Sequence, residues 1–96
     1  MFSILVVEDN ENLNKMMSAK LKMETYNVFS AFNGEEALEV LEHEHIDLII
    51  SDVMMPGIDG YELTKTLRIA NYTMPILMIT AKNQIEDMEK GFVAGT

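Results

Sequence analysis

Four short runs of apolar residues separate longer mixed segments of the chain, and they limit the possible folds more than any other feature. The runs are ILVV at 4–7, VFSA at 28–31, LII at 48–50 and ILMI at 76–79. The first, third and fourth are almost continuously apolar, as in parallel strands that are covered on both faces. The second run is weaker and suits an edge strand. We therefore predict four β-strands.

The segments between and after these runs carry apolar residues at helical spacing, which predicts four amphipathic helices. Helix by helix, the apolar positions are Leu13, Met16, Met17 and Leu21; Ala37, Leu38 and Leu41; Leu63 and Leu67; and Ile85, Met88 and Phe92. Three of the helices are also preceded by a side chain that can cap the helix, with glutamate three residues later, the pattern of a capping box. These pairs are Asn33 with Glu36, Asp59 with Glu62, and Asn83 with Glu86.

Strands that alternate with helices through short connections predict right-handed crossovers and a parallel sheet. A chain of 96 residues is one small domain. We therefore expect a single α/β domain with a doubly wound parallel sheet.

Composition excludes several classes of function. A formal net charge of −9 argues against direct binding of this segment to nucleic acid or to an anionic membrane surface, since both require basic patches. No apolar stretch approaches the roughly 20 residues that span a bilayer. The absence of cysteine excludes a disulfide scaffold and a thiolate metal site, and it fits a reducing compartment. We expect a cytoplasmic protein.

Polar side chains follow three of the predicted strands. Glu8 and Asp9 come after the first run, Asp52 comes just after the third, and Thr80 comes after the fourth. The carboxyl ends of parallel strands share one edge of the sheet, so neighbouring first and third strands would bring three carboxylates into one crevice. Three like charges at short range repel unless a cation compensates them. An all-oxygen ligand set favours Mg²⁺ over zinc, and Mg²⁺ keeps water positions that a phosphate can take.

Three motifs carry a close resemblance to a known family. They are ILVVEDN at 4–10, DLIISDVMMPGIDG at 47–60 and PILMITAK at 75–82, and together they extend over nearly the whole chain. In order and spacing they resemble the receiver domain of two-component response regulators. The resemblance implies a flavodoxin-like fold with strand order 2-1-3-4 for the four strands of this chain.

The resemblance also implies a role for each site residue. Asp52 would be the phosphoacceptor, taking a phosphoryl group from a phosphohistidine of a sensor histidine kinase. Glu8, Asp9 and Asp52 would hold Mg²⁺ together with the backbone carbonyl of Met54, and Thr80 would be the switch hydroxyl. The chain would then be a switch that controls an output domain, expected to regulate transcription, and that turns over no external substrate.

The sequence departs from the family pattern after the fourth helix. The fifth strand and helix of a receiver are not present in residues 1–96, nor is the lysine that ends that strand; Lys82 follows the fourth strand and is not its equivalent. We therefore expect an incomplete receiver domain. Its fourth strand would be an apolar edge, and we expect the chain to self-associate through that edge or by exchange of elements.

Two other classes of function compete with the switch. A Mg²⁺-dependent phosphatase with an aspartate nucleophile would usually have a second acid two residues after the nucleophile, and position 54 is methionine. The second alternative is a receiver-shaped fragment that cannot take part in phosphotransfer and acts only in assembly or binding.

Overall fold

A computed structural model describes residues 1–79. Thr80, Asn83 and the predicted fourth helix lie outside this range. The described elements alternate as predicted: β1 Ser3–Val7, α1 Glu11–Met23, β2 Asn27–Ala31, α2 Gly34–His43, β3 Leu48–Asp52, α3 Gly60–Ile69 and β4 Ile76–Ile79. No helix among the described residues is long and apolar enough to cross a bilayer.

The four strands form one parallel sheet in the order β2-β1-β3-β4. This confirms the predicted order and the flavodoxin-like arrangement. The chain first winds from β1 outward to β2 and then crosses back to β3, so the switch in winding direction lies between β1 and β3. In an open α/β sheet, ligands bind at the carboxyl ends of the strands beside such a switch.

Burial along the strands follows their places in the sheet. Every residue of β1 is buried, and β2 at one edge is mostly exposed or half-buried. The continuous apolar run of β4 favoured a strand covered on both faces, but the same strand was also expected to be an apolar edge. The described residues agree with the edge: three of its side chains are half-buried, and Leu77 is 53% exposed. The reason is its position, because β4 has β3 as its one neighbour in the described sheet.

The buried face of α1 also differs from the prediction. Asn14 and Ser18 are the buried residues of this helix, while Met16, predicted to be on the apolar face, is 68% exposed. The other predicted positions, Leu13, Met17 and Leu21, are half-buried. Hydrophobic spacing alone misplaced the face because the two buried polar side chains have hydrogen-bond partners inside the protein, which removes most of the cost of burying them.

Two of the predicted helix caps are confirmed. Asn33 Oδ1 accepts a hydrogen bond from the Glu36 backbone N–H at 2.8 Å, and Asp59 Oδ1 accepts one from the Glu62 N–H at 2.8 Å. The Glu36 side chain in turn accepts a bond from the Phe32 N–H at 2.9 Å. These contacts determine the residues at which α2 and α3 begin, and so the residues at which the preceding loops end.

Asp47 fastens the amino ends of β1 and β3 together. Its Oδ2 accepts a hydrogen bond from the Ser3 N–H at 2.8 Å, and its own N–H donates to the Ser3 carbonyl at 2.8 Å. Its Oδ1 lies 3.0 Å from His45 Nε2. The Ser3 hydrogen bond, with a further contribution from His45, holds the pKa of the Asp47 carboxyl below its ordinary value.

Replacing Asp47 with asparagine is expected to reduce the acid-side pH dependence of stability. A lowered folded pKa means that the ionised carboxyl stabilises the chain above the ordinary pKa of 3.8, and that this contribution is lost as pH falls through the folded pKa. Urea unfolding of both proteins between about pH 6 and pH 3 should show the difference in their free energies of unfolding shrinking as pH falls. A difference that is constant over this range would contradict the expectation.

Candidate functional site

The pairing of β1 with β3 places the predicted acids at one edge of the sheet. Val7 at the end of β1 is opposite Ser51 of β3, so Glu8 and Asp52 are the next residues on adjacent parallel strands. One carboxylate oxygen each from Glu8, Asp9 and Asp52 lies within 4.8 Å of the others. The structure therefore brings together the three acids that the sequence analysis grouped.

These acids are sheltered from solvent to different degrees. Glu8 and Asp52 are fully buried, and Asp9 is half-buried. Carboxylates are rarely fully buried unless they are paired, hydrogen-bonded or bound to a metal ion. Three oxygens of this type within 4.8 Å of one another form a donor set that fits a hard divalent cation such as Mg²⁺.

The loop between β1 and α1 holds Glu8 through its backbone and its side chain. Glu8 Oε2 accepts a hydrogen bond from the Asn10 N–H at 2.8 Å, and the Glu8 N–H donates to the Ala31 carbonyl at 3.1 Å. Asn10 then caps α1 by accepting from the Leu13 N–H at 3.0 Å. This cap was not predicted, because position N3 is leucine, which cannot complete a capping box. An asparagine before Glu11 in the first turn was the available signal.

The loop between β3 and α3 packs around Asp52. Asp52 Oδ1 accepts a hydrogen bond from the Met54 N–H at 3.2 Å, which orients the carboxylate. Met54 is 55% exposed, and Met55 beside it is buried in the core. The backbone of Met54 therefore contacts the Asp52 carboxylate through the Met54 N–H. The role of the Met54 carbonyl as a metal ligand stays a prediction.

Two glycines allow this loop to approach the rest of the molecule closely. A Cβ on Gly60, the first residue of α3, would lie 2.7 Å from the Asp52 carbonyl oxygen. A Cβ on Gly34, the first residue of α2, would lie 2.7 Å from Cβ of Ile58. Helix α3 therefore begins directly against the backbone of Asp52, and Ile58 supports the same loop against the start of α2.

The remaining acidic residue near the site has a structural role. Asp59 caps α3 through the Glu62 N–H, as predicted, and it is not among the three grouped acids.

A pocket of about 460 Å³ lies at the amino ends of β3 and β4, away from the acids. Its lining includes Glu44, His45 and Asp47 before β3 and Tyr72 before β4. It contains none of the three grouped acids, so it is separate from the candidate metal site.

The family model described as the response regulator receiver domain matches residues 4–96. The chain belongs to this family. The three motifs at 4–10, 47–60 and 75–82 had implied the same family. A receiver domain is a signalling switch rather than an enzyme of the ordinary kind.

Among curated proteins, the heme response regulator HssR of Staphylococcus epidermidis is 36% identical over 96 residues, which is all of this chain and 42% of that protein. HssR of Staphylococcus aureus strain MRSA252 is 35% identical over the same length. The chain thus spans 42% of the length of these relatives.

Solved structures agree with the fold. The chemotaxis protein CheY4 of Vibrio cholerae has a TM-score of 0.81 and 35% identity, covering 100% of this chain and 82% of that one. The response regulator TrrA of Thermotoga maritima, solved in complex with Mg²⁺ and BeF, has a TM-score of 0.71 and 29% identity, covering 97% of this chain and 98% of that one.

Replacing Gly60 with alanine is expected to move the Asp52 backbone. The new Cβ would meet backbone atoms, which cannot rotate away, so the free energy of unfolding should fall by about 1–3 kcal/mol. The amide resonance of Val53, whose carbonyl accepts from the Gly60 N–H, should shift in a ¹H–¹⁵N NMR spectrum.

Gly57→Ala is the matched control for this experiment. Gly57 has φ +75°, so alanine there is strained by about 1–2 kcal/mol, but among residues 1–79 no neighbouring atom lies within 4 Å of its added Cβ. It should reduce stability and leave the Val53 resonance in place. A Val53 shift that is equal in the two variants would contradict a specific contact between Gly60 and Asp52.

Proposed function

We propose that this receiver domain accepts a phosphoryl group on Asp52 from a phosphohistidine of a sensor histidine kinase, in a Mg²⁺-dependent reaction that switches the conformation of the domain. The observation that carries the proposal is the convergence of Glu8, Asp9 and Asp52 within 4.8 Å at the carboxyl ends of β1 and β3. Membership of the receiver family supports it.

The nucleophile in this proposal is the ionised carboxylate of Asp52, which needs no general base. An Asp52 oxygen forms a bond to phosphorus while the bond between phosphorus and the imidazole nitrogen of the donor breaks. The bonding electron pair leaves with that nitrogen, and the product is an acyl phosphate on Asp52. The Met54 N–H donates to one oxygen of this carboxylate, and β3 holds the Asp52 backbone.

Glu8, Asp9 and Asp52 would hold Mg²⁺, with the carbonyl of Met54 as a further ligand. The ion, when bound, neutralises negative charge on the phosphoryl oxygens and on the acids. The TrrA structure, a neighbour of this chain, was solved in complex with Mg²⁺ and BeF, which supports Mg²⁺ as the ion. Thr80 would contact the phosphoryl group as the switch hydroxyl; this assignment comes from the motif at 75–82, and Thr80 lies outside the described residues.

The wider context is also part of the proposal. We propose that residues 1–96 act as a receiver unit that controls an output domain, expected to regulate transcription, in the cytoplasm. The curated relatives are response regulators of which this chain spans 42%, which leaves room in them for such a domain. The net charge of −9 supports an arrangement in which this segment does not itself bind nucleic acid.

Phosphorylation of Asp52 can be measured by intact mass after incubation with acetyl phosphate and Mg²⁺. We expect the wild-type chain to gain one phosphoryl group, and we expect the adduct to be absent in Asp52→Asn and when EDTA removes the metal. Asp59→Asn is the matched control, because it makes the same chemical change at the far end of the loop that follows Asp52. Asp59 caps α3, and asparagine caps a helix as well as aspartate does.

The control variant should be phosphorylated like the wild type. An adduct that persists in Asp52→Asn would assign the acceptor to another residue. A folded wild-type chain that gains no adduct would support the alternative of a receiver-shaped assembly or binding module.

One observation favours self-association as a second property. In the sheet formed by residues 1–79, β4 is an edge strand of sequence ILMI, and Leu77 on it is 53% exposed. An apolar edge strand can pair with another chain. We propose that β4 is such a pairing edge, with exchange of elements between protomers as the other route to the same assembly.

Leu77→Lys is expected to weaken this association, because a lysine on an edge strand opposes pairing. Light scattering after size-exclusion chromatography should show the wild-type mass falling toward that of a monomer on dilution, and the variant reaching the monomer at a higher concentration. A wild-type chain that is monomeric at every concentration would contradict the proposal.

A further inference from the structure

Asn14 is a fully buried polar side chain on α1 that the proposed reaction does not use. Its Nδ2 donates hydrogen bonds to two backbone carbonyls, that of Glu8 at 3.0 Å and that of Ala31 at 3.0 Å. Glu8 follows β1, and Ala31 ends β2. One amide group therefore joins the first helix to the ends of two strands.

The peptide groups on both sides of Glu8 are held by this arrangement. The Glu8 N–H donates to the Ala31 carbonyl at 3.1 Å, and the Glu8 carbonyl accepts from Asn14. The Glu8 carbonyl belongs to the peptide that leads directly into Asp9. Fixing both peptides fixes the directions in which the Glu8 and Asp9 side chains leave the backbone.

The orientation of the Asn14 amide is itself determined. The Ser18 hydroxyl donates to Asn14 Oδ1 at 3.2 Å, and it lies 2.9 Å from the hydroxyl of Ser30 on β2. A backbone carbonyl only accepts and an asparagine nitrogen only donates, so the two carbonyls determine that Nδ2 faces them, while the Ser18 hydroxyl can serve either end of the amide. A reversed amide would set its oxygen against those carbonyls.

We propose that Asn14 is a positioning residue of the acid site, which sets the affinity for Mg²⁺ by fixing the backbone of Glu8 and Asp9 without touching the metal. The inference rests on the proposed function in assigning those two acids as metal ligands. Removing a group that orients metal ligands through hydrogen bonds, without itself binding the metal, typically weakens metal affinity about 10- to 100-fold. The buried amide thus acts on the site through the backbone of its ligands.

The test replaces Asn14 with leucine, which is similar in size and lacks both N–H donors. Titration calorimetry should give a Mg²⁺ dissociation constant raised about tenfold or more relative to the wild type. In the metal-free protein, the amide resonance of Asp9 should move in a ¹H–¹⁵N spectrum. Acetyl phosphate labelling should be slow at low Mg²⁺ and return toward the wild-type rate at saturating Mg²⁺, because the Asp52 nucleophile is unchanged.

Ser18→Ala is the matched control, since it removes another buried polar group of the same network and leaves both Asn14 donors in place. It should lower the free energy of unfolding while the Mg²⁺ dissociation constant stays within about twofold of the wild type. If the leucine variant does not fold, Asn14→Ser provides the same comparison with one remaining donor.

Wild-type Mg²⁺ affinity in a folded Asn14 variant would overturn the proposal, because it would show that the amide contributes stability alone. An equal loss of affinity in Ser18→Ala would overturn it as well. The proposed function fails separately: a wild-type chain that binds Mg²⁺ and is never phosphorylated would remove the phosphoacceptor role, while the comparison of Mg²⁺ affinities would still decide the role of Asn14.

Discussion

The parallel register between β1 and β3 is the constraint on which the site depends. With Val7 opposite Ser51, Glu8 just after β1 and Asp52 at the end of β3 lie side by side at the carboxyl ends of the strands. A shift of one residue in either strand would turn its side chains to the other face of the sheet and separate Glu8 from Asp52. The buried side chains of β1, together with the bonds between Asp47 and Ser3 at the amino ends, oppose such a shift.

Bringing three carboxylates within 4.8 Å has a cost in repulsion and desolvation, and the surrounding loops are organised around it. Backbone N–H groups of Asn10 and Met54 donate to the Glu8 and Asp52 carboxylates. Gly60 lets α3 begin against the Asp52 backbone. The N–H donors of Asn10 and Met54 stabilise the charged carboxylates and also determine where the carboxylate oxygens lie. A Mg²⁺ site requires oxygens in defined positions.

The fold was predictable because its signals are local. Apolar runs, helical spacing and the caps at Asn33 and Asp59 each indicate one element, and alternation of the elements implies a parallel sheet. The grouping of the acids then followed from a general property of parallel sheets. The motifs added the strand order and the family, which spacing alone could not provide.

What the sequence could not provide were the contacts between distant residues. Asn14 and Ser18 interrupt the apolar pattern of α1, and their burial makes sense only once the carbonyls of Glu8 and Ala31 lie beside them. The bond between Asp47 and Ser3 likewise joins residues far apart in the chain.

The most direct test of the account is a Mg²⁺ titration of the wild-type chain followed by ¹H–¹⁵N NMR. We expect the amide resonances of Glu8, Asp9, Val53 and Met54 to shift together and to saturate with one dissociation constant. Those of Glu44 and Asp47, acids that line the pocket at the amino ends of β3 and β4, should stay in place. Shifts confined to Glu44 and Asp47, or shifts that never saturate, would contradict a metal site at the ends of β1 and β3.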